Sequence, residues 1–445
     1  MQSSRSLRSL GRFAAALLRA AYCGVSNKNM EYQIGKNFVD TKGTRIALKG
    51  KRIFLNDVTS PKDVSEFNKY VSWITHNPET KRVIIYLQQK FRIFPNVFVP
   101  IAVAIEFLRK RNIKVILHND IEDFDETNFF NPLLATKENM LKHKYSSGIV
   151  WKVTTSEEIN NLIEAVIFEL SNRLICEPGV LLSLEWSINE MLDNIFQHSN
   201  THIGYFMYQF QESYTRISFC LGDFGIGIYH SLQGSRYKPI SPADAITLAI
   251  TEGVTRYEKQ TRGNGLWGVS ELIAKNLGQL TITSGGAAIY FNKATGEVTT
   301  FEDVTYLDKN ETGTTIDVQV NPASSIDINS ALKRCNAIVN LRLEDMENEY
   351  GDISIKIRDR SEGVGTRESG QNLRNFIRNT LNESNGTLLI DFSGLGIISS
   401  SYADEAFGDL YTQIGKKEFS RRIRFNGLTD TIKLILQNTF GCREE

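Results

Sequence analysis

Two spacings of apolar residues follow one another along the chain: alternation, which is typical of strands, and helical spacing, which is typical of amphipathic helices. In a first block, 37–125, they predict strands with helices between them. These predicted elements are strands at 52–58, 81–87 and 113–118 and helices at 62–74 and 100–110. Such alternation is typical of a small α/β unit. The polar and aromatic segment 119–145 has no regular spacing, and we predict a linker there.

A second and longer block, 148–322, begins with a strand and two helices. Apolar residues at 181, 184, 188, 191, 192 and 195 lie on one side of the segment 180–198, which predicts an amphipathic helix against a core. The other predicted elements are helices at 156–174 and 269–277 and strands at 148–153, 202–210, 214–221, 280–284, 288–291 and 314–320. Before 269 lies a long Gly-rich, charged stretch in which the spacing predicts no regular element.

The third block, 350–440, repeats the alternation of the first at a similar size. Its predicted elements are strands at 353–358, 387–391 and 422–425 and helices at 366–381, 401–414 and 429–437, with Thr366 as a helix N-cap. The shared element order suggests that the outer blocks are a diverged pair. The three blocks predict the fold class α/β (α+β), with a central α/β sandwich flanked by two small α/β domains.

Composition narrows the choice of partner and compartment. Lys plus Arg and Asp plus Glu number 51 each, so the net charge gives no reason to expect nucleic acid or an acidic membrane surface as a partner. The five cysteines are widely spaced and form no Cys-x-x-Cys pair, which argues against a disulfide framework and fits a cytoplasmic compartment. No stretch is long and apolar enough to span a membrane.

The first 29 residues have a composition of their own. They contain arginines and no acidic residue, with apolar residues at helical spacing. One interpretation is a transit peptide, which would be mitochondrial in a eukaryote. The other is a disordered extension ahead of a start at Met30. We leave both open and exclude 1–29 from the fold.

A carboxylate and an amide lie one helical turn apart at Glu190 and Asn194 in the predicted helix 180–198. Residues at this spacing share a helix face. An amide oxygen suits Mg²⁺, which takes oxygen ligands, and a carboxylate can orient or deprotonate a nucleophile that attacks a γ-phosphate. Taken alone, the pair is more typical of a solvated helix face than of a nucleotide site.

Three further motifs follow in order. Asp223 ends an apolar strand and begins Asp-Phe-Gly-Ile-Gly, in which Gly225 and Gly227 let the backbone approach a ligand. The sequence Gly-Asn-Gly-Leu-Trp-Gly at 263–268 opens a predicted helix, whose N-terminus would direct N–H groups towards phosphate. It does not follow the first strand of a βαβ unit, which disfavours a dinucleotide-binding site. Thr-Gly-Thr at 312–314 precedes the last strand.

The four motifs, in this order, resemble the N, G1, G2 and G3 boxes of the GHKL superfamily: gyrase-type ATPases, Hsp90-like chaperones, histidine kinases and anti-sigma-factor serine kinases. The resemblance covers 148–322 and implies a sandwich that holds ATP and Mg²⁺ under a mobile lid at about 229–262. It implies that Glu190 is the general base, Asn194 the Mg²⁺ ligand and Asp223 the residue that reads adenine. The residues implied to line the base and the phosphates are Gly225, Gly227, Gly263, Gly265, Gly268 and, near adenine, Thr314.

Two details of this resemblance concern charged residues. His198, four residues after Asn194, fits the kinase branches, and it fits equally a helix C-terminus, where positive charge is favourable. In the lid, the implied phosphate contacts are Arg256, Lys259 or Arg262.

In the third block an apolar strand ends at Asp391 and leads, through a short turn, to Ser399-Ser400-Ser401 at a predicted helix start. This region resembles the STAS fold of anti-sigma-factor antagonists and STAS-like domains of unassigned function. In the antagonists a serine at this helix N-terminus accepts phosphate, and Ser400 aligns with it, whereas the usual Asp-Ser-Ser-Gly is absent. The alternative is that the serines cap the helix. The first block resembles a degenerate STAS domain loosely.

These resemblances suggest a cytoplasmic, ATP-binding regulatory protein, a Mg²⁺-dependent GHKL ATPase or serine kinase that binds a protein partner through STAS-like domains. An ATP-gated dimeric clamp and a nucleotide-sensing scaffold, for instance in bacterial stress or defence, are the alternatives. We expect neither nucleic acid nor a membrane as a partner, and a homodimer is left open.

Overall fold

The computed structural model describes residues 46–49, 51–55, 58, 61–87, 94–119, 125, 129–143, 147–211, 216–254, 265–292, 294–307, 313–332 and 340–443. Its helices and strands confirm the predicted α/β class. Within those ranges no helix combines the length and the apolar composition that a membrane span needs. The predicted extension 1–29 lies outside the described residues.

The described residues belong to two compact units. The first comprises Met1–Ile163 and Ser187–Asn321, and the second comprises Glu164–Trp186 and Pro322–Glu445. The predicted division into domains at 37–125, 148–322 and 350–440 stays a prediction.

The first block forms a four-stranded sheet whose strands stand in chain order. Its elements are β1 (Ile46–Lys49), β2 (Arg52–Leu55), α1 (Pro61–Thr75), β3 (Arg82–Leu87), α2 (Pro95–Lys110) and β4 (Lys114–Asn119). β1 is antiparallel to β2, and β2, β3 and β4 are parallel. Alternate residues of the strands, such as Ile53, Val83 and Ile85, are buried in one core with α1 and α2.

Helix α2 begins earlier than its spacing predicted. We expected it to start at Pro100, but Pro95 stands in its first turn and Pro100 lies inside it. A proline in the first turn loses no helical hydrogen bond, because N–H groups there have no partner within the helix. The carbonyl one turn before Pro100 has no proline N–H to accept, but a single lost bond does not end the helix.

The central sheet has eight strands in the order β11-β10-β9-β12-β8-β7-β6-β5. The elements of this part are, in chain order, β5 (Leu133–Leu134), α3 (Lys137–Lys142), β6 (Trp151–Val153), α4 (Ser156–Arg173), α5 (Val180–His198), β7 (Gly204–Gln211), β8 (Arg216–Asp223), α6 (Gly227–Gln233), α7 (Pro242–Ala249), α8 (Gly265–Lys275), β9 (Gln279–Ser284), β10 (Ala287–Asn292), β11 (Glu297–Glu302) and β12 (Thr314–Val320).

Several of these elements correct the sequence analysis. The predicted linker 119–145 contains β5 and α3, and the Gly-rich stretch contains α6 and α7. Helices of six to eight residues span only about two turns, which leaves little periodicity to recognise. Two of these helices, α3 and α7, begin at side-chain N-caps: Thr136 and Ser241 accept hydrogen bonds from the N–H groups of Asn139 and Asp244.

The two faces of the central sheet have different neighbours. Tyr205, Met207 and Cys220 belong to the core that contains α2, so this face lies against the first block. On the opposite face Gly204 lies against side chains of α5: a Cβ there would be 3.3 Å from Leu192. Because successive residues of a strand point to opposite faces, Asp223 lies on the α5 side of the sheet.

Helix α2 is buried on nearly every side because it lies between these two sheets. It approaches β8 so closely that a Cβ on Gly222 would be 3.0 Å from both Val99 and Val103. Glu106 adds a polar contact: its carboxylate accepts hydrogen bonds from Lys152 Nζ at 3.2 Å and from the Tyr205 hydroxyl at 3.3 Å. The first block and the central sheet therefore share one continuous core.

The second unit contains a three-stranded parallel sheet in the order β13-β14-β15. Its elements are α9 (Ile328–Ala331), α10 (Leu341–Glu344), β13 (Ile353–Lys356), α11 (Ile357–Arg360), α12 (Arg367–Glu383), β14 (Leu388–Asp391), α13 (Ser400–Ala403), a π-helical turn (Asp404–Gly408), α14 (Asp409–Ile414), α15 (Lys416–Arg422), β15 (Ile423–Asn426) and α16 (Asp430–Gly441). Strands β2 to β4 show the same sequential, parallel order, whereas the proposed relationship between the outer blocks stays a prediction.

Within the second unit, asparagines of α12 hold the turn between α4 and α5. Asn379 donates to the carbonyls of Ser171 and Leu174, at 2.8 and 2.7 Å, and its amide oxygen accepts from the N–H of Cys176 at 2.7 Å. Asn382 donates to the carbonyl of Cys176 at 2.8 Å. The end of a helix has carbonyls without helical partners, and these side chains satisfy them.

Candidate functional site

Glu190 and Asn194 lie on α5 as predicted, and both side chains are half-buried. The opposite side of the helix, with Leu184, Ile188 and Met191, is in the core. The pair meets the start of α8: a Cβ on Gly265 would lie 2.7 Å from Oε2 of Glu190 and 3.2 Å from Nδ2 of Asn194. With a larger residue at position 265 the carboxylate of Glu190 would have to move away from the start of α8.

Asp223 ends β8 and is 3% exposed. Its Oδ1 accepts a hydrogen bond from the N–H of Gly225 at 2.6 Å, and the carboxylate also accepts from the backbone of Thr314. Burial raises the pKa of Asp223 to about 7, and the two hydrogen bonds oppose that rise only in part. The carboxylate is thus costly to ionise unless a further donor reaches it.

The loop after Asp223 is attached to the end of α5. Ser199, the residue after that helix, accepts a hydrogen bond from the N–H of Ile226 at 3.1 Å through its carbonyl. A Cβ on Gly225 would lie 2.2 Å from the same carbonyl oxygen. Gly227 has φ +71° and begins α6, a conformation that glycine adopts without strain.

The last motif pairs with Asp223 across neighbouring strands, since Thr314 of β12 is the register partner of Asp223 of β8. A Cβ on Gly313 would lie 1.8 Å from the carbonyl oxygen of Asp223, so the backbone of this turn touches the end of β8 directly. The predicted motifs are therefore joined: α5 contacts Gly265 and the 225–226 loop, and β8 pairs with β12.

The remaining predicted site residues lie away from these contacts or outside the described residues. Gly268 is buried within α8, and His198 is the half-buried last residue of α5. Gly263 lies outside the described residues. The same is true of the predicted phosphate contacts in the lid, Arg256, Lys259 and Arg262. Of the proposed lid, 229–262, the described part includes α7.

Sequence reasoning missed three residues that support this arrangement. Ser199 supplies the carbonyl described above. The hydroxyl of Tyr306 donates to the carbonyl of Asp223 at 3.4 Å from the α2 side of the sheet. Ser284, the last residue of β9, is 1% exposed and hydrogen-bonds to the turn at Gly313. No motif marks them, because each acts through contacts that only the folded sheet creates.

In the second unit Ser399, Ser400 and Ser401 have different environments. Ser399 is the N-cap: its Oγ accepts from the N–H of Tyr402 at 3.0 Å and donates to the carbonyl of Gly365 at 3.0 Å. Ser400 and Ser401 follow in the first turn of α13 and are exposed. One serine thus caps the helix, while its neighbours present their hydroxyls to solvent.

Residues 369–433 match the family model described as "STAS-like domain of unknown function (DUF4325)". The C-terminal region contains a STAS-like domain, as the sequence analysis predicted. The matched segment begins in α12 and ends in α16, so it includes β14, β15 and the serines at the start of α13. No curated protein matches the chain.

The STAS-like domain has a core of its own. Its strand residues Ile355 and Ile390 pack with Phe376 of α12 and Phe407 of the π-helical turn. Beside that turn, Arg374 forms ion pairs with Glu405 at 2.7 Å and Asp409 at 2.6 Å. These contacts fix the helix that begins at the exposed serines.

Proposed function

We propose that this chain is an ATP-binding regulatory protein, in which a GHKL-type pocket of the first unit binds ATP with Mg²⁺ and the STAS-like domain binds a protein partner. One observation carries the proposal: four motifs that are far apart in the sequence meet around α5, β8 and β12. Glu190 and Asn194 meet Gly265, the end of α5 meets the loop after Asp223, and β8 pairs with β12. If the four motifs were unrelated turns, there would be no reason for them to lie together in the fold.

The polar groups around the proposed pocket suit the adenine base, the phosphates and Mg²⁺. Asp223 is a buried carboxylate at a strand end, next to backbone that only glycine permits, which suits recognition of an amino group on a planar base. Gly265 starts α8, an eleven-residue helix whose first N–H groups can face phosphate. Among the described residues no group of three His, Cys, Asp or Glu side chains is placed to hold a metal ion. Asn194 would hold Mg²⁺ through its amide oxygen, together with phosphate oxygens, a ligand set this ion accepts.

Glu190 would act on the attacking nucleophile. A carboxylate one helical turn from the metal ligand can orient a water molecule or a hydroxyl and accept its proton. Mg²⁺ would supply charge neutralisation on the phosphates when bound. Asp223 would fix the base, and the start of α8 would fix the phosphates, so that these residues position the reacting groups and leave little covalent work to the protein.

The STAS-like domain makes a regulatory purpose the best-supported one. Its exposed Ser400 lies at a helix start, where a phosphate dianion is stabilised by unpaired N–H groups and by the helix dipole. We therefore propose Ser400 as the phosphate acceptor, in its own or in another chain, with a change in partner binding as the result.

The test is incubation with γ-labelled ATP and Mg²⁺, followed by analysis of both protein-bound label and free phosphate. We expect label that is lost in Ser400→Ala, retained in the matched control Ser401→Ala, and lost in Glu190→Ala. Free phosphate without labelled protein, again lost in Glu190→Ala, would instead indicate an ATP-gated clamp.

Binding measurements separate the remaining outcomes. Bound ATP without either product would indicate a nucleotide-sensing scaffold. If Asp223→Asn binds ATP as tightly as the wild type does, the pocket assignment is wrong, whatever the products are.

A further inference from the structure

A row of three polar side chains crosses the end of the central sheet. Ser284 of β9 is the register partner of Thr314 of β12, and Thr314 is the register partner of Asp223 of β8. Register partners in neighbouring strands point to the same face, so all three side chains lie on the α5 side of the sheet. Asp223 and Ser284 are buried, and Thr314 between them is half-exposed.

The hydroxyl of Ser284 joins three segments of the chain. It accepts a hydrogen bond from the N–H of Ile228, near the start of α6, at 2.9 Å. It lies 3.1 Å from the carbonyl oxygen of Gly313 and 3.1 Å from Oγ1 of Thr314. A buried serine with partners in α6 and in the 313–314 turn fixes both relative to β9.

Counting hydrogens assigns a direction to these bonds. A carbonyl oxygen can only accept, whereas a hydroxyl donates one hydrogen and accepts others. The arrangement that satisfies every group has Ser284 donating to the carbonyl of Gly313, which leaves Thr314 to donate to Ser284. The single hydrogen of the Thr314 hydroxyl is then used inside the protein, and its oxygen presents lone pairs to the pocket.

We propose that Ser284 is a positioning residue that sets base specificity: it orients the Thr314 hydroxyl so that Thr314 and Asp223 present acceptors, which favours a 6-aminopurine over a 6-oxopurine. The inference rests on the proposed nucleotide pocket and adds to it a residue outside all four motifs. An exocyclic amino group can donate hydrogen bonds to these acceptors. An exocyclic oxygen has only lone pairs to present to them, so it loses its hydrogen bonds with water and gains none in the pocket.

The experiment compares the dissociation constants of ATP and GTP, by displacement of a fluorescent nucleotide, for the full chain and its variants. In Ser284→Ala the Thr314 hydroxyl regains a free hydrogen and can donate to the oxygen of guanine. We expect the preference for ATP to fall at least tenfold. In Thr314→Val, which has no hydroxyl to orient, adding Ser284→Ala should leave the ratio of the two constants unchanged.

Ser183→Ala is the matched control, since Ser183 is a buried serine whose hydroxyl has no hydrogen-bond partner among the residues that the structure describes. It should change neither constant. A Ser284→Ala variant that weakens ATP and GTP by the same factor would show a purely structural role and overturn the inference, while the pocket itself would stand. A wild-type protein that binds neither nucleotide overturns both the inference and the proposed function.

Discussion

A Cβ atom on Gly265 would lie 2.7 Å from Oε2 of Glu190. The first residue of α8 therefore touches the end of the carboxylate that we propose as the general base. That oxygen is the far end of a flexible side chain, which can shift more easily than backbone can. The same contact that makes Gly265 necessary for the site leaves it dispensable for stability.

Gly265→Ala should accordingly separate activity from stability. The added methyl displaces the carboxylate of Glu190, so we expect ATP turnover to fall at least tenfold, while the free energy of unfolding changes by less than about 1 kcal/mol. Steady-state kinetics and urea unfolding measure the two effects.

Gly225→Ala is the informative comparison, because its Cβ would lie 2.2 Å from the backbone oxygen of Ser199, which cannot swing aside. We expect a loss of stability of about 3 kcal/mol or more there, from distortion of a packed backbone. Equal stability losses in the two variants would contradict the proposed difference between side-chain and backbone contact.

The raised pKa of Asp223, about 7, predicts that nucleotide affinity depends on pH. A base amino group favours the ionised carboxylate, so binding releases a proton wherever the free group is protonated. The dissociation constant for ATP should fall about tenfold from pH 6 to pH 8 and level off above pH 7. Calorimetry in two buffers of different ionisation enthalpy measures the released protons.

The raised pKa of Asp223 affects folding stability in the opposite direction: stability falls as the pH rises, whereas ATP affinity increases. The folded pKa of Asp223 is above its unfolded value of 3.8, so the folded state binds the proton more tightly, and this group's contribution to stability is lost as the pH rises from about 4 to 7. Asp223→Asn should therefore flatten part of the fall in melting temperature across that range. An unchanged pH profile of the melting temperature in the variant would speak against a protonated Asp223 in the free protein.

Asn379→Leu should weaken the second unit. It leaves the carbonyls of Ser171 and Leu174 and the N–H of Cys176 without the partners that Asn379 supplies. Unsatisfied buried groups cost about 1–3 kcal/mol each, so we expect a loss of about 3 kcal/mol or more, against about 1 kcal/mol for Asn382→Leu, which removes one bond. Hydrogen exchange of the peptide at 171–176, followed by mass spectrometry, locates the loss.

The serines at the start of α13 allow the stabilities of two neighbouring variants to be compared. Ser399→Ala removes the N-cap and should cost about 1 kcal/mol, whereas Ser400→Ala removes an exposed hydroxyl and should change stability by less than about 0.5 kcal/mol. Thermal unfolding of the two variants measures this. A larger loss in Ser400→Ala would mean that this serine, too, is occupied in holding the helix.

The elements with a long apolar stripe could be predicted from the sequence. Helix α5 has the predicted bounds, because its stripe is complete and a Pro-Gly pair precedes it. Strand β12 likewise has its predicted bounds. Helices α6 and α7 could not be predicted, since helices of seven and eight residues span only about two turns, which is too short to establish a period. Strand β5 has two residues, and its pairing with β6 has no counterpart in the sequence.

The motif residues of the candidate site could be found in the sequence, but the residues that hold them could not. Asp223 and Thr314 belong to glycine-containing motifs that can be recognised in the sequence. Ser284 is an ordinary serine until the sheet order places β9 beside β12, and Asn379 resembles any polar residue of a helix until it meets the turn at Cys176. Such roles arise from tertiary neighbours, which local patterns do not encode.

Helix α2 has a consequence for how this protein can be divided. Its apolar surface is shared by two sheets, so a shortened protein that began at Gly148 would leave Tyr205, Met207 and Cys220 without their cover. The central sheet and residues 95–110 therefore bury one continuous apolar core and depend on each other for their stability. The first block therefore covers the face of the central sheet opposite to the one on which Asp223 lies.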